Sequence, residues 1–409
     1  MEERVARRWM SFIPKGLAVL LLAGPAAAGV GVVEAPAGFD DRTNDMVSQS
    51  QFDTDREVFE EREFAEDGLG PVYNAQACTE CHENPVTGGN SQVTVLRAGR
   101  SDGMRFTDHA GGSLIQDRAL DPALQERALP MDNVRTFRAS LSILGDGFVE
   151  AIPDNAFNDI RARQPQGMKG TIVLVPVLEA PGTTRIGRFG WKAQHASLLS
   201  FSADAYLNEM GITSPLQPTE NTSNGRSVDA WDLVSDPEEE PTAAEPFGAD
   251  VEAFARFMRA TRAPARDFDL ARTPEAQAGE QVFNQIGCQH CHTPSMTTAP
   301  AGTQINGGRF VVPEALGNKV IHPYGDFLLH DVGTGDGIVQ NGGPATRNMI
   351  RTAPLWGLRT RSRLLHDGTA LTPHEAIVRH DREARSVVQN YLRLPRDQQD
   401  RLMAFLRSL

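Results

Sequence analysis

Apolar side chains recur at helical spacing in several separate stretches of the chain, and polar segments divide these stretches. Residues 274–286 show the pattern between Thr273, which suits a helix N-cap, and Gly287, which suits a helix end. Residues 250–262 and 395–409 repeat the amphipathic spacing. The pattern therefore predicts helices at four places: 55–66, 250–262, 274–286 and 395–409.

The middle of the chain alternates as β structure does. Residues 171–178 and 183–189 flank Pro181-Gly182, which predicts a β-hairpin, and residues 92–96 predict a further strand. Residues 294–348 are rich in Gly, Pro and Thr and predict a long loop that wraps a cofactor. The fold class predicted from these patterns is mainly α, with β-hairpin insertions and long loops.

Composition divides the chain further. Residues 217–249 are rich in Pro, Glu, Ser, Asn and Ala, which indicates a linker or a long surface loop. A chain of 409 residues usually forms two or three domains. We therefore predict an N-terminal domain over 38–216 and a C-terminal domain over 250–409.

The first 28 residues have the features of a secretory signal. A basic start precedes the apolar run 16–23, and Ala26-Ala27-Ala28 offers a small-residue cleavage site. An uncleaved N-terminal anchor is the alternative, but the run is shorter than the ~20 residues that span a bilayer. We expect a periplasmic or secreted protein whose mature chain has no membrane span.

Charge restricts the class of partner. The chain carries a net charge of −13, and removal of the leader leaves 36 basic and 51 acidic residues, a net charge of −15. Nucleic acid is disfavoured as the main partner because phosphate binding requires a basic face. An acidic chain instead suits a cationic protein partner.

The four cysteines lie in two copies of one motif. The copies are Cys78-Thr79-Glu80-Cys81-His82 and Cys288-Gln289-His290-Cys291-His292. C-x-x-C-H attaches c-type haem, because two thiols bind the porphyrin vinyl groups and the histidine binds the iron.

Three other kinds of cysteine site explain the two motifs less well than haem does. A zinc ribbon needs closer pairs, a thioredoxin-like pair does not explain the histidines, and disulfide frameworks occur in smaller chains. We predict two covalent haems, with Cys78, Cys81, Cys288 and Cys291 as thioether residues and with His82 and His292 as proximal iron ligands.

With both motifs in place, the chain resembles the exported di-haem oxidoreductases. Members are labelled peroxidases or thiol oxidoreductases and are distantly similar to bacterial di-haem cytochrome c peroxidases. The resemblance is carried by GLGPVYNAQACTECHENPVTGG (68–89), GDGFVEAIPD (145–154), GRFGWKA (187–193), NEMGITS (208–214), GEQVFNQIGCQHCHTP (279–294), HPYGDFLLHDVG (322–333), TAPLWGLRTRSRLLHDG (352–368) and LTPHEAIVRHDREA (371–384).

The resemblance implies two cytochrome c-like haem domains and a peroxidase-like reaction. Electrons would enter at the C-terminal haem, from a small redox protein such as a basic cytochrome, and pass to a reactive N-terminal haem. The alternative is a non-catalytic electron-transfer protein in which both irons are six-coordinate. Some relatives hold calcium between the domains, and the sequence leaves open whether this chain does.

His380 is the first candidate for a sixth iron ligand. Thr372 and Glu375 form a capping-box signal for a short helix, and His380 lies on its apolar face. In the related peroxidases, the distal ligand of the C-terminal haem, usually Met, lies fourteen positions after the His of an H-x-G motif. That histidine is His366 here, so the resemblance implies that His380 binds the iron at Cys288–His292. A surface histidine is the alternative.

The sequence does not identify the distal ligand of the N-terminal haem. Met210, Lys192 and His195 are candidates, as is an unfilled position, and no spacing rule selects among them. An unfilled site needs a proton carrier, and Glu150 is predicted for that role because apolar neighbours would raise its pKa. A structural ion pair is the alternative for Glu150.

Three further side chains are noted near these motifs. His330 and His366 each begin a His-Asp pair and could bond a haem propionate, although a satisfied loop histidine is the simpler interpretation of each. Trp356 is either core or part of an electron path.

Overall fold

A computed structural model describes residues 31–409 of the chain. The predicted signal segment, residues 1–28, lies outside the described residues. Residues Val32–Leu409 form one compact unit. None of the helices described combines the length and the apolar character that a membrane span requires.

Helix exceeds strand in this structure, at 32% against 16%, which is compatible with the predicted mainly α class. The helices are α1 (Gln49–Glu60), α2 (Asp146–Glu150), α3 (Asp154–Arg163), α4 (Leu198–Ala205), α5 (Ala249–Ala260), α6 (Phe268–Ala271), α7 (Pro274–Ile286), α8 (Pro373–Val378), α9 (Arg385–Leu392) and α10 (Arg396–Ser408). A π-helical turn, Tyr206–Met210, extends α4.

The strands are short and are distributed among several small sheets. They are β1 (Val33–Glu34), β2 (Val72–Tyr73), β3 (Thr94–Ser101), β4 (Phe106–Asp108), β5 (Leu114–Ile115), β6 (Arg118–Ala119), β7 (Val134–Ala139), β8 (Leu174–Pro176), β9 (Thr184–Ile186), β10 (Met296–Thr297), β11 (Gln304–Ile305), β12 (Phe310–Val311), β13 (Lys319–Ile321), β14 (Leu329–His330) and β15 (Ile350–Arg351). The largest sheet pairs β3 with β4, β5 and β7.

Local sequence signals fix several of these elements. Thr273 caps α7 by accepting from the backbone N–H of Ala276, and Gly287 ends the helix in the left-handed region. The capping box of Thr372 and Glu375 forms at α8. β8 and β9 form the predicted antiparallel hairpin.

The first hydrophobic core lies between α1 and α5. Phe52 and Phe59 of α1 pack on Phe257 of α5 with ring centroids 5.2 and 4.9 Å apart, and Phe254 meets Phe59 edge to face. Cys78 is packed against this core. The core therefore lies against the first C-x-x-C-H motif.

The second core lies between α7 and α10. Phe283 of α7 and Phe405 of α10 have ring centroids 5.2 Å apart, and Cys288 packs against the same cluster. The helices cross at Gly279, where an added Cβ would lie 1.9 Å from the carbonyl oxygen of Arg401. Glycine is needed at this crossing because the backbones touch.

The predicted domain boundary lies at residues 217–249. No helix or strand of the structure lies between Met210 and Ala249, as expected of the 217–249 segment. However, α5 follows that segment and packs on α1 and α4, and β1 pairs with β13 in parallel. The first core thus contains chain segments from both sides of 217–249, whereas the second core is formed by residues after it. Independent folding of two domains stays a prediction.

Candidate haem sites

The two C-x-x-C-H motifs adopt the same local structure. Each forms a single 3-10 turn, over Cys78–Glu80 and Cys288–His290. In each, the backbone N–H of the histidine donates to the backbone carbonyl of the first cysteine, at 3.0 Å for His82 and 2.9 Å for His292. Each turn therefore presents two thiols and an imidazole together, and none of the four cysteines is in a disulfide within the described residues.

A cavity of about 590 Å³ surrounds the second motif. Its wall includes Cys288, Cys291, His292 and His380, so we call it the C-terminal cavity. Phe283 of α7 contributes to the wall, and its ring centroid is 6.4 Å from that of His292. An apolar space of this size beside two thiols fits a porphyrin.

His292 and His380 are both arranged to offer the outer ring nitrogen. His292 Nδ1–H donates to the carbonyl oxygen of Tyr324 at 3.0 Å, and His380 Nδ1–H donates to that of Ala376 at 2.6 Å. A carbonyl only accepts, so Nδ1 carries the proton in each ring and Nε2 keeps its lone pair. Metal-binding histidines are commonly oriented in this way.

The electrostatics of this histidine pair favour neutral rings. Burial lowers the pKa of His292 to about 4, and the neighbouring His380 acts in the same direction. Burial also lowers the pKa of His380. Neutral imidazole is the form that binds iron, so both rings are ready as axial ligands. The predicted ligand role of His380 fits this geometry.

Two side chains that line the C-terminal cavity have buried nitrogens without a hydrogen-bond partner among residues 31–409. His366 is 4% exposed, and neither of its ring nitrogens has a hydrogen-bond partner among residues 31–409. Arg361 Nε is likewise buried and unpartnered in that part of the chain. Orphaned buried donors are costly in a folded protein. Haem propionates would satisfy both, which favours the propionate interpretation of His366.

His330 differs from His366 because its ring nitrogens are already bonded. Nε2 lies 2.9 Å from Asp326 Oδ2, and Nδ1 lies 2.7 Å from Glu383 Oε2. These carboxylates hold the pKa of His330 well above its usual value, although burial opposes them. His330 is therefore a satisfied buried histidine, and it lies on strand β14 rather than in a loop.

A second cavity of about 210 Å³ surrounds the first motif. Cys78, Cys81 and His82 line it, and Phe59 of α1 lies beside His82 with ring centroids 6.3 Å apart, so we call it the N-terminal cavity. Burial lowers the pKa of His82 to about 4, which keeps the imidazole neutral and able to bind iron.

The structure separates the three distal candidates for the N-terminal cavity. Met210 is 3% exposed and lines the cavity. Lys192 Nζ is instead held 2.9 Å from Asp336 Oδ1 and donates to three backbone carbonyls. His195 Nε2 lies 3.1 Å from Asp204 Oδ2. Lys192 and His195 line neither cavity.

The expectation of a raised pKa for Glu150 is wrong. Arg259 donates to both carboxylate oxygens, at 2.6 and 2.9 Å, and Leu198 N–H and Asn306 Nδ2 also donate at 2.9 Å. Burial alone would raise the pKa of Glu150, but Arg259 and these hydrogen bonds bring it below its usual value. Glu150 is fully buried and lines neither cavity, so it forms a structural ion pair.

Asp146 is the carboxylate that sequence reasoning missed. It lies at the first position of α2, four residues before Glu150, and it lines the N-terminal cavity. Burial raises the pKa of Asp146 to about 7, although the nearby Arg351 opposes the shift. The sequence Gly145-Asp146-Gly147 is typical of a turn, but it does not indicate that Asp146 is buried.

Trp191 lies on the walls of both cavities. Its Nε1–H donates to the carbonyl of Ala139 at 2.8 Å, and its ring meets His366 edge to face at 6.1 Å. Trp356, which the sequence suggested for an electron path, is core and lines neither cavity. Only the folded structure shows that Trp191 holds the bridging position.

Three acidic side chains come close together in the segment between the two predicted domains. Glu220, Asp236 and Glu238 bring carboxylate oxygens within 4.8 Å of one another. The cluster lies in the 217–249 segment, and burial together with the neighbouring acids raises the pKa of Glu220 to about 9. A calcium ion between the domains stays a prediction.

Comparison with known proteins identifies related sequences. A family model described as "Di-haem oxidoreductase, putative peroxidase" matches residues 116–409, which is more than half of the chain and includes the second motif. No curated protein matches the chain.

Two solved structures are similar over nearly the whole length. One is hydrazine synthase of Kuenenia stuttgartiensis pressurised with xenon, at 14% identity and a TM-score of 0.42, covering 97% of this chain and 99% of the other. The second is a MauG-like protein associated with microbial copper homeostasis, at 15% identity and a TM-score of 0.40, covering 95% of each chain. TM-scores of this size do not establish a shared fold.

Proposed function

The chain belongs to the di-haem oxidoreductase family, and from that premise we propose that it is an exported, peroxidase-like enzyme with two c-type haems. Each haem is held by one C-x-x-C-H motif in a cytochrome c-like region. The substrate class is a hydroperoxide, which is reduced with electrons from an external redox partner.

One observation carries the proposal, namely that the two cavities are lined by different polar groups. The C-terminal cavity is lined by His292 and His380, each with Nε2 unprotonated. The N-terminal cavity has His82 and a carboxylate, Asp146, whose pKa burial raises to about 7. A haem with two imidazole ligands transfers electrons, and a haem with an open position beside a proton carrier can react with peroxide.

A haem iron in the N-terminal cavity would supply the site that binds peroxide and accepts its oxidising equivalents. The task of Asp146 is then proton transfer. With haem held by Cys78, Cys81 and His82, the carboxylate of Asp146 would accept a proton from a hydroperoxide in the cavity and return it to the departing hydroxyl, which would leave as water. Reduction of H2O2 to two waters uses two electrons and two protons in total. A group with a pKa near 7 does both steps well because it is neither fully protonated nor fully ionised at neutral pH.

Electron transfer between the cavities needs a path through the protein. Trp191 contacts both cavities, and its indole N–H is held by the Ala139 carbonyl, so the ring has one fixed orientation. Arg351 also lines both cavities. We assign Trp191 as the bridge from the His292/His380 side to the His82 side.

The external donor is a small cationic redox protein. The leader-free chain carries a net charge of −15, and opposite charge accelerates the encounter of redox partners. Export agrees with the basic and apolar leader of residues 1–28 and with haem attachment outside the cytoplasm.

The experiment is a spectroscopic study of the holoprotein in its oxidised and half-reduced states. We expect two haems by mass, one low-spin bis-imidazole EPR signal, and a second haem whose spectrum changes with cyanide and with H2O2. Two low-spin haems that respond to neither ligand would refute the peroxidase proposal.

Met210 favours one competing function, a di-haem electron carrier. It lines the N-terminal cavity, and a thioether there could fill the sixth position of the iron. Met210→Ala distinguishes the two functions. In the enzyme the variant leaves the spin state of the N-terminal haem unchanged, whereas in the carrier it converts a low-spin haem to high spin.

A further inference from the structure

Tyr206 connects the N-terminal cavity with a group of carboxylates outside it. The residue begins the π-helical turn after α4, is 3% exposed and lines the cavity together with Cys78, Cys81 and His82. Its hydroxyl lies 3.2 Å from Glu63 Oε1 and 3.1 Å from Asp250 Oδ2. Neither carboxylate lines the cavity, so the phenol spans the cavity wall.

The Tyr206 ring has apolar surroundings, whereas its hydroxyl lies beside acidic side chains. Phe254 of α5 meets the Tyr206 ring edge to face at 5.1 Å, and Met210 and Met258 line the same cavity. Burial, with Asp250 and Glu63 nearby, raises the pKa of Tyr206 well above its usual value. The phenol therefore stays protonated, and it can lose an electron only if a base takes its proton.

Glu63 is placed to be that base. Burial raises the pKa of Glu63 to about 7, and the neighbouring Asp250 adds to the shift. Burial also raises the pKa of Glu239 to about 7, and Glu239 Oε2 accepts from the backbone N–H of Asp250 at 3.1 Å. Carboxylates with such pKa values can accept a proton and pass it on near neutral pH.

From this geometry we propose that Tyr206 is a proton-coupled redox relay that lets an external reductant deliver electrons directly to the N-terminal haem. The inference rests on the proposed function, because peroxide bound at the His82 haem is the oxidant. One electron leaves Tyr206 for the peroxide-oxidised haem, the phenolic O–H bond breaks, and the proton moves to Glu63. The reductant then returns one electron to the tyrosyl radical, and Glu63 returns the proton.

The role differs from that of Trp191. The Trp191 N–H is bonded to a backbone carbonyl, which cannot take a proton, and the ring lies between the two cavities. Tyr206 instead leads out of the N-terminal cavity toward acids. Trp191 thus suits transfer between haems, and Tyr206 suits transfer between the N-terminal haem and the outside.

The charge near this exit indicates the class of reductant. Nine acidic residues and no basic residue lie between Arg226 and Arg256, a stretch that includes Glu239 and Asp250. Glu61 and Asp67, close to Glu63 in sequence, are exposed. A cationic reductant that is too large to enter the cavity fits this surface.

The test is freeze-quench EPR of the holoprotein after addition of H2O2. We expect a tyrosyl radical in the wild type, its loss in Tyr206→Phe, and a lower yield with slower formation in Glu63→Gln. Tyr391→Phe is the matched control, because Tyr391 is also buried, bonds His374 and lines neither cavity. Its signal should equal that of the wild type.

A second arm removes peroxide from the test. Flash-quench oxidation with tris(bipyridine)ruthenium should give the same Tyr206-dependent radical, with slower formation in D2O because a proton moves. If peroxide leaves the haems unchanged while the flash experiment gives the radical, the peroxidase proposal fails and the relay stands. If Tyr206→Phe retains the wild-type radical in both arms, or if no tyrosyl radical forms in either, the relay is refuted. Should Tyr206→Phe not retain haem, Glu63→Gln decides, and an unchanged radical yield refutes the relay.

Discussion

Asp146 and Glu150 lie on the same short helix, α2, yet their surroundings give the two carboxylates opposite properties. Glu150 is saturated by Arg259, Asn306 and the N-terminal N–H of α4, which together lower its pKa. Asp146 lines the N-terminal cavity with few compensating bonds, and burial raises its pKa to about 7. The proton chemistry of the site therefore depends on partners that are distant in sequence.

At this scale, Asp146→Asn should slow peroxide reduction by about a hundred-fold, a usual contribution of general acid–base catalysis. Because the ionised carboxylate is the base, the wild-type rate should rise as pH increases through about 7 and then level off. The variant should lack this rise. Stopped-flow kinetics with H2O2 between pH 5 and 9 checks both statements.

Asp159→Asn is the control for Asp146, because Asp159 is an exposed aspartate on α3. It should keep the wild-type rate and pH profile. A wild-type profile in Asp146→Asn would show that another group carries the proton.

His380 supports a second prediction at the residue scale. His380→Ala should convert the low-spin signal of the C-terminal haem to high spin, because the iron loses an imidazole. His380→Met should keep the low-spin state and raise the midpoint potential, since thioether stabilises ferric iron less than imidazole does. EPR and redox titration measure these changes.

His374→Ala is the matched control for His380. His374 lies on α8, the helix that ends two residues before His380, but it bonds the Tyr391 hydroxyl and does not line the cavity. Its variant should leave the EPR signal unchanged. Loss of the low-spin signal in the control but not in His380→Ala would reject the assignment of His380.

At the scale of elements, helix pairs position the haem-attachment turns. α7 ends at Gly287, directly before Cys288, and packs on α10 through Phe283 and Phe405. α1 packs on α5 and sets Phe59 beside His82. In both cases one helix of a packed pair supplies the aromatic ring next to the proximal histidine, which gives the two sites a common plan.

Because α7 and α10 cross at Gly279, we expect any side chain added at this position to destabilise the protein. Gly279→Ala would place a Cβ 1.9 Å from the Arg401 carbonyl oxygen, so the helices must separate. We expect a loss of about 2 kcal/mol in the free energy of unfolding, as for other overpacked cores. Chemical denaturation of the holoprotein measures this loss.

Gly167→Ala is the control for the crossing, because nothing lies within 4 Å of its added Cβ. Its stability should change by less than about 0.5 kcal/mol, as at other open surface positions. An equal effect of the two substitutions would show that the crossing does not limit stability.

At the scale of the whole molecule, the proposed encounter with a cationic redox partner depends on the excess of acidic groups. The net charge is −13 for the full sequence and −15 without the leader. Such a field attracts cations over roughly one Debye length, which is about 10 Å at 0.1 M salt.

Reduction of the holoprotein should therefore be faster with a cationic mediator, hexaammineruthenium(II), than with anionic ferrocyanide after correction for driving force. The difference should shrink as ionic strength rises, because salt screens exposed charges. Stopped-flow reduction at increasing NaCl concentrations provides the measurement. Rates that do not depend on salt for either mediator would exclude electrostatic steering.

The sequence by itself determined the chemistry that is local in the chain. The two C-x-x-C-H turns, the capped helix α7, the α8 capping box and the β8–β9 hairpin depend on residues a few positions apart, so spacing and turn chemistry were sufficient to predict them.

Only the tertiary structure decided the functions that depend on contacts between distant segments. Arg259 lies 109 positions from Glu150 and turned the predicted acid into an ion pair, while Asp146 gained its raised pKa from burial. The fold also placed Met210 on a cavity, fixed Lys192 on Asp336 and set Trp191 between the two cavities. Burial and charge pairing arise when the chain folds, and no local pattern contains them.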